Sequence, residues 1–200
     1  MEQIFWENMW EKLDAPFRQS PCPVLLALLQ QYTDVKNILV PLCGVNYDLI
    51  WLAQQGFNVT GIDFSTHTID KFATFYNTPL QQIQPHQYHY QSAGQFTLHV
   101  SDFMIFNTTK SYQLIYDMGG LVALPAVMRK AYVAHLLKFL SPTTRCAILT
   151  KNDIANDSGP PFHITQHEIN SLFNIPINKV TPFLVEDMPQ VTTYIITSSS

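Results

Sequence analysis

No apolar run in this 200-residue sequence is long enough to cross a bilayer; the longest, Pro23 to Leu29, falls far short. The opening residues, MEQIFWENMW, carry acids and aromatics where a secretory signal would carry a basic region and an apolar stretch. Together these absences point to a cytoplasmic protein with no membrane partner. Cysteine is scarce: Cys22, Cys43 and Cys146 are too few and too scattered for a disulfide framework or a zinc knuckle. Basic charge is scarce too. The net charge is -4 and no Lys/Arg cluster occurs, which excludes an ordinary nucleic-acid footprint. Also missing are the three-glycine dinucleotide fingerprint, the glycine-and-lysine phosphate loop, the GxSxG elbow and HExxH. His86 with His89, and His163 with His167, lack a Glu or Cys at usable spacing, so no metal site is expected.

What is present is core-forming mass. Hydrophobic residues make up 46% and aromatics 12%, enough for one sizeable core and a single domain over 1–200. Ile4 to Leu13 reads as a helix with Trp6 and Trp10 four apart on one face. A Pro-containing segment, Ala15 to Pro23, precedes a helix over Val24 to Tyr32. Strands are predicted at Asn37–Leu42, Asn58–Asp63, Phe96–Val100, Tyr112–Tyr116 and Arg145–Thr150, with two more near Lys179–Val185 and Thr192–Thr197. Helices fall between them: Tyr47–Gln55 stopped by Gly56, Thr66–Tyr76 capped by Ser65, and a helix opened by Pro125 that runs to Leu140. Thr165–Phe173 carries a capping box, Thr165 with Glu168. Residues 78–92, rich in Gln, His and Pro, read as a connecting loop. Strands alternating with helices imply an α/β domain with a mainly parallel sheet.

In such sheets ligands sit beyond the carboxyl ends of the strands. The turn Leu42-Cys43-Gly44 is either an ordinary strand-to-helix turn or a place where backbone approaches a ligand closely. Asp63, about twenty residues on, suits a pair of ribose hydroxyls, though a solvated acid at a helix start would look the same. Ser101-Asp102-Phe103 offers an acid and an aromatic to bracket adenine, or a plain turn. Asp117 precedes Gly119-Gly120 and is either a ligand contact or a helix cap. Acids after successive strands favour an adenosine ligand over a flavin or a nucleoside triphosphate.

Val40-Pro41-Leu42-Cys43-Gly44, then Asp48, Trp51-Leu52 and Gly56, resemble the signature of the thiopurine S-methyltransferase family. The likeness runs on through Val59 to Ser65, Tyr116-Asp117, Leu121 to Pro125, Met128-Arg129, Tyr132, His135-Leu136, and Gly159-Pro160-Pro161-Phe162. Trp6, Trp10, Phe17 and Gln19 match the family's opening aromatic pattern. The resemblance implies a Rossmann-like, seven-stranded, mainly parallel sheet with helices on both faces and one antiparallel C-terminal strand. It also implies S-adenosylmethionine as methyl donor, S-adenosylhomocysteine as product, and a small-molecule acceptor as the partner of a monomer. Carried over by position, Trp6, Trp10 and Phe17 form an aromatic lid within residues 1–20. Leu42 and Gly44 line the methionine side, Asp63 the ribose, Ser101 and Asp102 the adenine, and Asp117 completes the donor set. Phe17, Arg18, Met118, Asn152 and Phe162 stand on the acceptor side.

The chain departs from the family there. Arg18 replaces a His, Val45-Asn46 a Lys-Ser pair, Met118 an Arg and Asn152 a Tyr, while Asp63 replaces a Glu. The donor half is kept and the acceptor half altered. The expected reaction is an in-line displacement at the sulfonium methyl by a thiol or another chalcogen nucleophile, with no metal and no assigned general base. The other reading is a donor-binding sensor or scaffold with little turnover.

Overall fold

The computed structural model describes residues 3–152, 159–173 and 178–198. The described strands are β1 (Asn37–Pro41), β2 (Asn58–Asp63), β3 (Gln81–Gln84), β4 (Gln87–Gln91), β5 (Gln95–Val100), β6 (Leu114–Asp117), β7 (Arg145–Lys151), β8 (Asn178–Phe183) and β9 (Val191–Ser198). They form one sheet in the order β3-β4-β5-β2-β1-β6-β7-β9-β8. The helices are α1 (Gln3–Lys12), α2 (Pro23–Gln31), α3 (Tyr47–Gln54), α4 (His67–Tyr76), α5 (Gly120–Ala123), α6 (Ala126–Leu136) and α7 (Gln166–Phe173).

Strand β1 is central because its apolar run is buried on both faces, as parallel strands require. Side chains alternate across the sheet. Ile38 and Val40 join a core with α2, α3 and α4, while Leu39 joins a second core with α5, α6 and α7. β2 and β6 pair with opposite edges of β1, both parallel to it. Strand order therefore reverses at β1, leaving a crevice beyond the carboxyl ends of β1 and β6. β9 runs against β7, and β8 against β9, so one strand of the predicted seven is reversed, as expected.

The segment 78–92 is not a loop. It holds the β3–β4 hairpin, which extends the sheet antiparallel to β5 and turns at His86 with φ 60. No run of Val or Ile announces it, since its Gln, His and Tyr residues pair through backbone at an edge. Tyr88 and Tyr90 still pack onto the first core. Ser65 is not the cap of α4, which starts from Thr66 without a side-chain cap bond. Pro125 is the N-cap of α6 rather than its first residue, and a 3-10 turn over 137–139 completes the predicted helix. Half of the predicted capping box forms: Thr165 Oγ accepts from Glu168 N at 3.1 Å, while the Glu168 carboxylate pairs with Arg129 at 2.7 Å. No helix among the described residues is long and apolar enough to cross a membrane.

Gly94 admits β5 to the sheet. Its N–H donates to Ala53 O at 2.7 Å, and a Cβ there would lie 2.2 Å from Phe57 O. Backbone cannot yield as a flexible side chain would. Gly94→Ala is therefore expected to cost about 2–3 kcal/mol of stability, measured by urea unfolding; an unchanged midpoint would contradict this packing.

Candidate active site

The chain leaves β1 through Leu42 and Gly44, both with positive φ, 45 and 53. Leu42 has a Cβ, and such a conformation costs it about 1–3 kcal/mol unless neighbours hold it there. Two bonds do so. Cys43 N donates to Ile62 O at 2.9 Å, and Gly44 N donates to Asp63 Oδ2 at 2.9 Å. The other oxygen of Asp63 accepts from Ser65 N at 3.0 Å. One carboxylate at the end of β2 thus ties down the turn after β1 and its own following loop.

Burial pushes the Asp63 carboxyl up to about 6. The Ser65 and Gly44 N–H groups hold it down against that burial, and the Glu7 carboxylate adds a further push upward. Glu7 lies on α1. It accepts from Ser65 Oγ at 2.7 Å and stands 3.8 Å from His67 Nε2. Lys71 Nζ donates to the carbonyls of Glu11 and Leu13, fixing the far end of α1 on α4. Helix α1 lies across Asp63, which is 4% exposed.

Trp10 is the buried residue of α1, and its indole rests on Gly44, where a Cβ would sit 2.4 Å from the ring. Only glycine allows that approach. Trp6 is half-buried at the edge of the same core and meets Phe5 edge-on, while Phe17 meets Trp10 edge-on at 6.1 Å and is otherwise exposed. The sequence reading of an amphipathic helix packed on the core therefore holds for Trp10, and the site lies directly under it. Arg18 donates to Pro21 O at 2.8 Å, and its own carbonyl accepts from Tyr76 OH at 3.1 Å. Asp48 anchors the end of this strap: it accepts from Cys22 N at 2.8 Å and from Tyr116 OH at 3.0 Å.

After β5, Ser101 N donates to Asp63 O at 2.9 Å, which sets the β5 loop beside the β2 loop. Asp102 caps the 3-10 turn that follows, accepting from Met104 N at 2.8 Å, and both residues stay half-exposed. At the β6 end, Met118 Sδ accepts from Asn46 Nδ2 at 3.4 Å, so two departures from the family pattern touch one another.

Asp117 takes the position of a helix cap, one of the two readings the sequence allowed. Its Oδ1 accepts from Gly119, Gly120 and Leu121 N–H, and its Oδ2 from Tyr132 OH at 2.8 Å. The residue is fully buried and burial raises its carboxyl, against the pull of Tyr132 and those amides. It caps α5. Asn152 bonds Pro189 O at 3.2 Å and Thr192 Oγ at 2.9 Å. Phe162 N donates to Val122 O at 2.7 Å, and its ring lies 5.6 Å from the Arg129 guanidinium. Asp153, which follows Asn152, lies outside the described residues. The site roles of Glu7, Ser65 and Asn46 were not read from the sequence, because each acts through a partner 58 or 72 positions away. No group of three metal-ligating side chains gathers among the described residues.

A donor with a ribose fits this arrangement. The Asp63 carboxylate has about four acceptor positions, and its bonds to the Gly44 and Ser65 amides do not use them all. Gly44 keeps the neighbouring turn free of side chain. This crevice, on a sheet with its strand order reversing at β1, is that of a Rossmann-like nucleoside-binding domain.

Comparison narrows the class. The family model described as thiopurine S-methyltransferase (TPMT) matches residues 1–193. Thiopurine S-methyltransferase of Vibrio campbellii is 33% identical over 177 residues, covering 86% of this chain and 82% of that protein. The Gluconobacter oxydans enzyme of the same name is 33% identical over 172 residues, covering 82% and 76%. The chain belongs to the thiopurine S-methyltransferase family. Solved structures share the fold: the CcbJ methyltransferase from Streptomyces caelestis at TM-score 0.66 and 10% identity, covering 97% of this chain and 96% of that one. A TehB-like methyltransferase from Corynebacterium glutamicum gives TM-score 0.62 and 14% identity, covering 98% and 97%.

Asp63 titrates near 6 in the fold and near 4 in an unfolded chain. The folded state holds its proton at the higher pH, so this group's contribution is full below about pH 4 and is lost as pH rises through about 6. Paired urea unfolding of wild type and Asp63→Asn at pH 4 to 7 should show wild-type stability declining relative to the variant across that window. Parallel profiles would contradict the assignment.

Proposed function

We propose that this methyltransferase acts on a small soft nucleophile, a thiol or another chalcogen species, beneath a lid formed by residues 1–20. The observation that carries this reading is the engagement of the three buried acids around the crevice. Asp117 caps α5, Asp48 holds the strap and the Tyr116 hydroxyl, and Asp63 bridges two backbone amides. Asp48 and Asp117 are committed to the fold and Asp63, in this reading, to the ribose, so none is assigned as the base for a weakly acidic alcohol or amine. A thiol ionises near neutral pH without such help.

The donor, when bound, supplies an electrophilic methyl on a positive sulfonium. The chain supplies position and dryness, the main lever in a displacement of this kind. Asp63 would hold the ribose, the Gly44 turn the methionine side, Ser101 and Asp102 the adenine, and Trp10 would exclude water from above. Because α1 covers Asp63, the donor gains access only when α1 lifts, with Glu7 and Lys71 as the bonds that reclose it. Leu42, Trp6 and Phe17 complete the apolar walls. Met118 makes the acceptor side less cationic than a family member with Arg there. Arg18, held in the strap, is the neighbouring cation. Asn152 and Phe162 are kept as more distant acceptor contacts, reached from the β7 end and the α5 loop.

Calorimetric titration with S-adenosylhomocysteine should give micromolar affinity in wild type and at least tenfold weaker binding in Asp63→Ala. Met118→Arg should raise turnover of an anionic aromatic thiol, such as 2-mercaptobenzoate, severalfold over its neutral analogue. No gain would count against the role given to Met118. Turnover of phenols or amines with none of thiols or selenols would overturn the acceptor class.

A further inference from the structure

The face of the sheet that carries α5, α6 and α7 is not covered all the way to its β4 edge. On β5, Phe96 and Leu98 are fully buried among the residues of the first core. Gln95, Thr97 and His99 alternate onto the other face, beside Gln87 and His89 of β4 and Thr60 of β2. There they line a trough instead of packing under a helix. Its larger lobe has a volume of 510 Å³ and an adjoining lobe 350 Å³, the size range of small-ligand sites. Both lobes share Gln95, Thr97, Lys110 and Tyr112.

Tyr112 is the unusual member. Only 2% of it is exposed, yet its hydroxyl has no partner at hydrogen-bond distance. The hydroxyls of Thr60 and Thr108 face it, and burial still makes the phenol a weaker acid than usual, raising its pKa. A buried orphan hydroxyl costs stability, and sequences keep such groups where they meet something from outside. Around it the lining has one full cation, Lys110, and two imidazoles, His89 and His99, with no carboxylate. His89 Nδ1 lies 3.4 Å from Thr97 Oγ, and His99 stacks edge-on against Phe106 at 5.1 Å. Donors dominate, and the charge has one sign.

We propose that this trough is a second small-molecule site, separate from the methyl-transfer crevice, that takes an oxyanion: the phosphate or carboxylate group of a metabolite no larger than a mononucleotide. Lys110 supplies the charge and Tyr112 OH a desolvated donor at the junction of the two lobes. The ring of Phe106 and the Thr97 hydroxyl bound the body of the ligand. The trough lies on the strand faces near β4 and β5, whereas the donor crevice lies beyond the strand ends.

The test is calorimetric titration of the full chain, saturated with S-adenosylhomocysteine, with inorganic pyrophosphate and separately with citrate at low ionic strength. At least one probe should bind, with Lys110→Gln weakening it tenfold or more and Tyr112→Phe severalfold. Tyr112→Phe should also melt at or above the wild-type temperature, because it removes an unpartnered hydroxyl. Preference for pyrophosphate or for citrate would support a phosphate or a carboxylate ligand respectively. No binding of either probe, binding equal in wild type and Lys110→Gln, or a lowered melting temperature in Tyr112→Phe would overturn the proposal.

Discussion

The carboxylate of Asp63 is the constraint on which the donor site depends. It accepts one backbone N–H from the turn after β1 and one from the loop after β2, and so fixes two strand ends to each other. With the Cys43 N to Ile62 O bond, that bridge holds Leu42 and Gly44 at positive φ. The bridge also reaches the lid: Ser65, held by Asp63 through its N–H, donates its hydroxyl to Glu7 of α1. Burying a carboxylate is costly unless donors surround it. Here two amides offset part of that cost, and the remainder shows as a proton held up to about pH 6. Ribose hydroxyls would complete the set of donors, so the same desolvation that strains the free site favours its ligand.

Three acids that look alike along the chain divide by what surrounds them. Asp48, Asp63 and Asp117 all stand at strand ends or helix starts, and all are buried. Asp117 is saturated by three amides and a tyrosine hydroxyl, which makes it architecture. Asp48 is committed to the Cys22 amide and Tyr116, so it fastens the strap that follows α1. Asp63 ties two strand ends together and is linked to the lid helix through Ser65 and Glu7. The partners of each acid separate roles that residue type cannot.

The parallel strands were legible because burial on both faces writes continuous apolar runs such as that of β1, and alternation marked the helices between them. The β3–β4 hairpin was not, since an edge hairpin is held by backbone pairing to β5 and needs no apolar alternation of its own. At the site, Gly44 and Asp63 could be read from spacing. Asp117 could not be told from a ligand acid, because its partners Tyr132 and the α5 amides come together only in the fold. The contact of Asn46 with Met118 was similarly hidden, although both positions stood out as departures from the family pattern. The trough around Tyr112 left no motif, only a polar alternation in β5 that reads equally as a solvated strand.

The account places donor binding under α1, against the Gly44 turn and the Asp63 bridge. Hydrogen exchange of the chain with and without S-adenosylhomocysteine reads this most directly, since the amides of Gly44 and Ser65 and those of α1 report separately. Added ligand should slow exchange at 42–46, 63–65 and 3–13 together. Unchanged exchange at these three segments, with protection elsewhere, would contradict the account.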